Sequence, residues 1–349
     1  MEALVTLGVI MQSDIAEQPA ALERVLHSGQ RATREVAEII KRRKPRFVLF
    51  VARGTSDNAA IFAKYLVETR LGLAAGLTSP STFTVYGSRP DLRDVLVIGV
   101  SQSGSSPDLV EPMIRARESG AITVAVTNSP GSPLATAAEF SLDVLAGPER
   151  AVASTKAYTC QLLTLWILMD ALAGGTAVDA ATVPELVNRQ LAREHEVAEL
   201  SVRYRFAEQM VLTARGFNYP TAREASLKLT ETTFVVASGF SGADLLHGPV
   251  AMINRGFPVI AIAPEGAGAA ALRPVISEVH QRGADILVVG DAGLKDVGTL
   301  HLALESPRNE SLSPIVAIIP MQLLALHMAR ARGIDPDKPG GLSKVTATW

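Results

Sequence analysis

Three groups of residues in this 349-residue chain have the types and spacing to do chemistry. The first is Ser101-Gln102-Ser103-Gly104-Ser105-Ser106-Pro107, between the apolar run Val97–Val100 and a helical pattern over 108–119. Small hydroxyl residues and a glycine at a strand-to-helix turn leave backbone N–H groups and the positive helix end free to hold an anion, with hydroxyls as further donors. The segment reads as a phosphate cradle, or else as an ordinary serine-rich turn. Thr55 and Ser56, after Arg53-Gly54, either add hydroxyls at a second strand end or cap the following helix. The second group is Glu224, Lys228 and Glu231. At roughly 100° per residue the three project within about 60° of one another on one helix face. An acid beside a lysine can be tuned for proton transfer, and a solvated ion pair is the bland alternative. The third is His247, framed by Gly248 and Pro249 as an exposed imidazole, with a structural histidine as the alternative.

Six histidines without an HxxxH pair, and one cysteine, give no basis for a metal site. Neither the GxGxxG nor the GxxxxGK[ST] pattern occurs, so nucleotide binding has no support.

The elements that must position these groups emerge from an internal repeat. Val48-Leu-Phe-Val-Ala-Arg-Gly54 recurs as Met210-Val-Leu-Thr-Ala-Arg-Gly216, an offset of 162 residues (216 − 54). Val97–Gly104 aligns with Val259–Gly266 at the same offset, and Gly120–Asn128 with Gly283–Asp291 at 163 (291 − 128). Each matched run is short, continuously apolar, ends in small residues and leads into a helical pattern, the signature of a parallel sheet covered on both faces. The expectation is α/β: two tandem doubly wound parallel-sheet domains, with ligands beyond the carboxyl ends of the strands. The domains are read as a helical arm over 1–29, a first domain over 30–175 with the phosphate cradle, a second over 176–332 with the catalytic helix and histidine loop, and a tail over 333–349. In the second copy the Ser-rich turn is replaced by Ala263-Pro-Glu-Gly266, so one phosphate site per chain is expected, in the first domain.

Composition narrows the partner. Lys plus Arg total 33 against 35 Asp plus Glu, which leaves no field for nucleic acid or an anionic membrane. A small molecule is expected instead. The start of the chain lacks the basic residues of a secretory signal, and Leu162–Gly174, read as the longest apolar run, is too short to span a bilayer. A single cysteine, Cys160, on an apolar helix face suits a buried thiol and a cytoplasmic location.

Six motifs in order converge on one family: Gly54-Thr55-Ser56; Ser101-Gln-Ser-Gly104; Val152-Ala-Ser-Thr-Lys156; Tyr219-Pro with Glu224, Lys228 and Glu231; His247-Gly-Pro249; and Asp337-x-Pro-x-x-Leu342-x-Lys344. Over nearly its whole length the chain resembles the isomerase half of glucosamine-6-phosphate synthase, two sugar-isomerase (SIS) domains of flavodoxin-like topology, and stand-alone amino-sugar-phosphate deaminases of that group. The resemblance implies that Thr55, Ser101, Gln102, Ser103 and Ser106 hold a phosphate, that Ser56 beside them belongs to the substrate-binding set, and that Val152 and Ser154 line the sugar pocket. It implies that Glu231 moves a proton between C1 and C2, with Lys228 and Glu224 around it. It implies that His247 opens the sugar ring from the partner subunit of a homodimer with shared sites, and that Lys344 can form an imine with an open-chain ketose.

The implied activity is deamination of an aminosugar 6-phosphate to a ketose phosphate and ammonia, without a cofactor. Ammonia-dependent synthesis, deglycation of a fructosamine phosphate, and non-catalytic phosphosugar sensing are the alternatives. Ser238 and Ala243-Asp244 depart from the family pattern, which often has Glu and Gly-Glu there, and this loosens the sugar identity. Residue 2 is Glu rather than the nucleophilic cysteine of a glutaminase domain, so glutamine is not expected as nitrogen donor within this chain.

Overall fold

The computed structural model describes residues 7–341 and 344. The chain divides into two compact units, one comprising Ala20–Glu149 with Lys156–Ala181, the other Met1–Pro19, Arg150–Thr155 and Thr182–Leu342. The short stretch Arg150–Thr155 thus groups with the second unit although its sequence neighbours on both sides belong to the first.

In the first unit, β1 (Phe47–Val51), β2 (Ala74–Leu77), β3 (Val95–Ser101), β4 (Ile122–Thr127) and β5 (Phe140–Asp143) form one sheet in the order β2-β1-β3-β4-β5. All its pairings are parallel. In the second unit, β6 (Gln209–Ala214), β7 (Val236–Ser241), β8 (Pro258–Ala263), β9 (Asp285–Gly290) and β10 (Leu300–Ala303) run β10-β9-β8-β6-β7, the same order read from the opposite edge. This is the doubly wound order in which the switch point lies between the first and third strands. The expected α/β fold is present twice.

Duplication extends to register. Phe47 pairs with Ala74 on β2, and Gln209 with Val236 on β7, each 162 residues on (209 − 47 and 236 − 74). Leu49 pairs with Val97, and Val211 with Val259, at the same offset (211 − 49 and 259 − 97). Between β8 and β9 the offset becomes 163, since Val97 faces Thr123 while Val259 faces Ile286 (286 − 123). The second copy is therefore one residue longer between its third and fourth strands, with the ladders undisturbed.

The strands read as unbroken apolar runs because both faces are covered. Every residue of β4 is buried, as is every residue of β3 after Val95. Leu109, Met113 and Ala116, on the Pro107–Glu118 helix, belong to one core cluster with Val51, Val97, Ala125 and Leu134. In the second unit Leu272, Ile276 and Val279 of the Ala267–Gln281 helix join Val259, Ala261, Ile286 and Val288 in the equivalent cluster.

Each unit also has one helix apolar on all sides. Lys156–Leu172, buried from Lys156 to Ala171, packs against Gln30–Arg43 and Thr55–Leu66 and encloses the free Cys160 thiol, whose pKa burial pushes up. Ser313–Ala331 packs against Glu194–Tyr204 and Tyr219–Thr233. This helix, not Leu162–Gly174, is the more extended apolar stretch. Over Glu310–Ala331 it is long and apolar enough to cross a membrane, but its most apolar stretch is 94% buried inside the protein, so packing accounts for its apolarity.

Candidate active site

The turn after β3 is built around Gly104. Its backbone lies at φ 63°, and a Cβ there would sit 2.1 Å from the Ser132 Oγ and 2.7 Å from the Ser132 Cβ, so only glycine fits. The Ser101 hydroxyl, at the buried end of β3, accepts a 3.0 Å hydrogen bond from the Gly104 N–H and closes the turn. Ser101 is thus partly a structural member of the cradle, which the sequence motif does not reveal. The Ser103 hydroxyl accepts from the Ser105 N–H at 3.4 Å. Ser106 occupies the N-cap position of the Pro107–Glu118 helix without a side-chain capping bond, and its hydroxyl is half-buried. The Gln102 carbonyl accepts from the Asn128 N–H at 3.2 Å and from the Thr127 hydroxyl at 3.3 Å, which ties the turn to the end of β4.

The turn after β1 is its neighbour, because β1 and β3 pair directly. Gly54, not Thr55 or Ser56, takes the N-cap position of the Thr55–Leu66 helix, and no side chain caps it. The buried Ser56 hydroxyl instead accepts from the Gln161 side-chain amide at 3.0 Å. Thr55 stays half-exposed at the first position of the helix. An ion pair between Arg53 and the buried Asp108, 2.8 Å, clamps this turn to the start of the Pro107–Glu118 helix.

The corresponding turn of the second unit is already filled by a carboxylate. Glu310 accepts from the Ala267 N–H at 2.9 Å and from the Gly268 N–H at 2.8 Å, at the start of the Ala267–Gln281 helix. A carboxylate satisfies the orphan donors of a helix N-terminus as a phosphate oxygen would. The acid visible in the replaced loop, Glu265, is exposed instead.

The Tyr219–Thr233 helix follows β6 and lies hard against β7. A Cβ on Gly239 of β7 would come within 2.7 Å of the Arg223 Cα, so glycine there permits the approach. This helix brings Glu224, Lys228 and Glu231 together. The Lys228 Nζ is 2.6 Å from the Glu231 Oε2 and 3.4 Å from the Glu224 Oε1. Side-chain exposures of 1% for Lys228, 0% for Glu224 and 25% for Glu231 rule out the solvated ion pair. Burial alone would depress the Lys228 ammonium, but attraction to Glu224 and Glu231, with their hydrogen bonds, outweighs it and holds its pKa above the ordinary lysine value. The result is a buried cation with one sealed carboxylate and one that reaches solvent.

Val152 and Ser154 lie on Arg150–Thr155, both half-buried. Their loop is fixed by residues that sequence reasoning missed. The fully buried Asp14 Oδ2 accepts from the Arg150 and Ala151 N–H groups, each at 2.8 Å. At the other end the Gln322 side-chain amide donates to the Thr155 carbonyl at 3.2 Å and accepts from Gln18 at 2.8 Å. Partners 136 to 304 positions apart leave no local signal.

His247 is exposed after the Gly242–Leu246 helix, and its imidazole makes no hydrogen bond among the described residues, so the structure does not join it to the Lys228 cluster. Lys344 is half-buried. Among the described residues no group of acidic, histidine or cysteine side chains is arranged to hold a metal.

Comparison with known proteins accords with this geometry. The SIS domain matches residues 41–171 and 204–332, one match for each sheet. The chain is 36% identical over 338 residues to a Methanothermobacter thermautotrophicus protein named glutamine–fructose-6-phosphate aminotransferase (isomerizing), covering 96% of this chain and 56% of that one. It thus spans about half the length of the curated relatives it matches. Among solved structures, the C-terminal domain of glucosamine-fructose-6-phosphate aminotransferase from Francisella tularensis superposes with a TM-score of 0.83 at 27% identity, covering 93% of this chain and 97% of that one. The glucosamine-6-phosphate deaminase from Thermotoga maritima shares the fold, with a TM-score of 0.74 at 21% identity over 97% of this chain and 100% of that one. Both sheets, their duplicated register and the matched residues make this chain a member of the SIS-domain family.

Proposed function

We propose that the chain is a phosphosugar isomerase that deaminates an aminosugar 6-phosphate to a ketose 6-phosphate and ammonia. The observation that carries this reading is the Glu224–Lys228–Glu231 cluster, whose sealed cation holds one carboxylate at a solvent-reaching edge. Names of relatives support the same substrate class, aminosugar phosphates and fructose 6-phosphate. Ser103, Ser106, Thr55 and the start of the Pro107–Glu118 helix supply donors for the phosphate, with Ser101 and Gln102 shaping the turn.

The chemistry needs one mobile proton and a water molecule. Ring opening, assigned to His247, exposes the C1 aldehyde. Glu231 removes the proton from C2, which is acidified by the neighbouring carbonyl, and the enolamine that forms receives a proton at C1. The resulting C2 imine is hydrolysed by water, releasing ammonia and leaving the ketose phosphate. The fixed positive charge of Lys228 keeps Glu231 oriented, and Val152 and Ser154 contact the sugar. Lys344 has the chemistry to hold the open-chain ketose as an imine. His247 is read as serving the site of a second copy, which makes the working form a homodimer.

Incubation of the pure protein with 6-phosphates of glucosamine, galactosamine and fructosamine, with ammonia and ketose phosphate measured, tests the proposal. Release of ammonia with an equal amount of ketose phosphate is the expected result. Binding without turnover would instead make the chain a phosphosugar sensor, and turnover only with ammonia and ketose phosphate supplied would make it a synthase.

A further inference from the structure

Resting on that reading, we infer that Asp14 and Gln322 are positioning residues for the sugar: they hold the two ends of the Arg150–Thr155 loop so that Val152 and Ser154 meet the substrate in a fixed place. The loop has no secondary structure of its own. Its backbone is held instead by buried side chains from two distant segments. Asp14, on the Val9–Ala16 helix, receives two N–H bonds with one carboxylate oxygen, while its other oxygen stands 3.6 Å from the Arg150 guanidinium. Arg150 in turn reaches the Glu17 carboxylate at 2.8 Å and donates to the Ser13 hydroxyl oxygen at 3.0 Å. Gln322, fully buried in the Ser313–Ala331 helix, bonds the Thr155 carbonyl and is held in orientation by the buried Gln18.

Burying a carboxylate and two amides is costly unless their polar groups are satisfied. Here the satisfied groups converge on a single short loop. All of these residues belong to the compact unit that also carries Glu224, Lys228 and Glu231. A polar network that merely filled a core would not need to end on both flanks of one short loop whose middle is only half-buried. Between the anchors, Val152 and Ser154 keep partly accessible side chains.

Four variants test this: Asp14→Ala, Asp14→Asn, Gln322→Leu and Gln322→Glu. Asparagine keeps an oxygen for the two N–H groups and gives up only the charge facing Arg150. Loosening the loop should lower kcat/KM for the aminosugar phosphate by up to about 100-fold in Asp14→Ala, the scale on which about 1 Å of misplacement acts. Asparagine should restore most of that loss. Inorganic phosphate, whose donors lie in the other unit, should bind all four variants as it binds the parent. Amide exchange at Arg150 and Ala151 should quicken in Asp14→Ala and remain slow in Asp14→Asn.

Unchanged kcat/KM in both Asp14→Ala and Gln322→Leu overturns the inference, as does parallel loss of phosphate binding, which would mean general damage to the fold. If Asp14→Ala fails to fold, Gln322→Leu decides alone on the same criteria. If the parent enzyme turns over no aminosugar phosphate, the proposed reaction fails while the anchoring is still judged by exchange, and unaltered exchange at Arg150 and Ala151 rejects it.

Discussion

Replacing Lys228 by methionine removes the cation from between two carboxylates while keeping an unbranched side chain only one atom shorter. With Nζ at 2.6 Å and 3.4 Å from its partners, each attraction is about 5–6 kcal/mol at an effective dielectric constant near 20, before the cost of burying the charges. That burial cost takes back much of the gain, so the net value of the cluster is small. Breaking it is another matter, because Glu224 has no solvent to turn to. Lys228→Met should therefore lose about 3–5 kcal/mol, the usual cost of a buried charge left without its partner. Adding Glu224→Gln removes the stranded charge and should recover about 1–3 kcal/mol, so the double variant is more stable than the sum of the singles.

Urea unfolding followed by circular dichroism reads the difference as a shift of midpoint at constant slope. The sign with pH follows from the raised lysine pKa. The contribution is fully present below about 10.4, the unfolded value, and is lost as pH climbs through the higher folded one. Wild type should therefore lose stability more steeply than Lys228→Met above about pH 10.4. A loss under about 1 kcal/mol in Lys228→Met, as for an exposed pair, or strict additivity in the double variant, would refute the buried-cluster argument.

Gly104→Ala forces a side chain into left-handed backbone, at about 1–2 kcal/mol, and onto Ser132, and should weaken inorganic phosphate binding by titration calorimetry; Ser132→Gly in the same chain should restore part of it. Unaltered phosphate affinity would place the anion elsewhere. Glu310→Ala strips the acceptor from two N–H groups of the Ala267–Gln281 helix and should lower stability by about 0.5–2 kcal/mol in thermal unfolding, an effect of the size of a lost helix cap. Mixing His247→Ala chains with Glu231→Gln chains, each inactive alone, should restore partial turnover in hybrid dimers, and well-mixed hybrids without activity would assign each site to one chain.

The fold was legible because parallel strands buried on both faces announce themselves as short apolar runs, and the duplication repeats them at a fixed offset. Register followed from the same repeat, as the pairs Leu49–Val97 and Val211–Val259 show. The face shared by Glu224, Lys228 and Glu231 was legible from helical spacing. Its burial was not, because that depends on the Ser313–Ala331 helix packing onto the same helix from far along the chain, beside the adjacent β7. Ser101 illustrates the limit differently: a hydroxyl in a phosphate-type turn looks like a ligand donor, and its bond from the Gly104 N–H appears only in three dimensions. Asp14, Gln18, Gln322 and Glu310 carried no signal at all. Each acts on backbone groups or side chains distant in sequence, and nothing near them forms a motif.

Turnover of the Glu231→Gln variant with the aminosugar 6-phosphate that the parent uses decides whether Glu231 carries the proton between C2 and C1. The substitution keeps the size of the side chain and removes the proton acceptor. Substrate should still bind, ammonia release should fall by about 10² to 10⁴, and the wild-type reaction run in deuterated water should yield ketose phosphate labelled at C1. Glu231→Gln enzyme releasing ammonia at the wild-type rate would take the proton transfer away from Glu231.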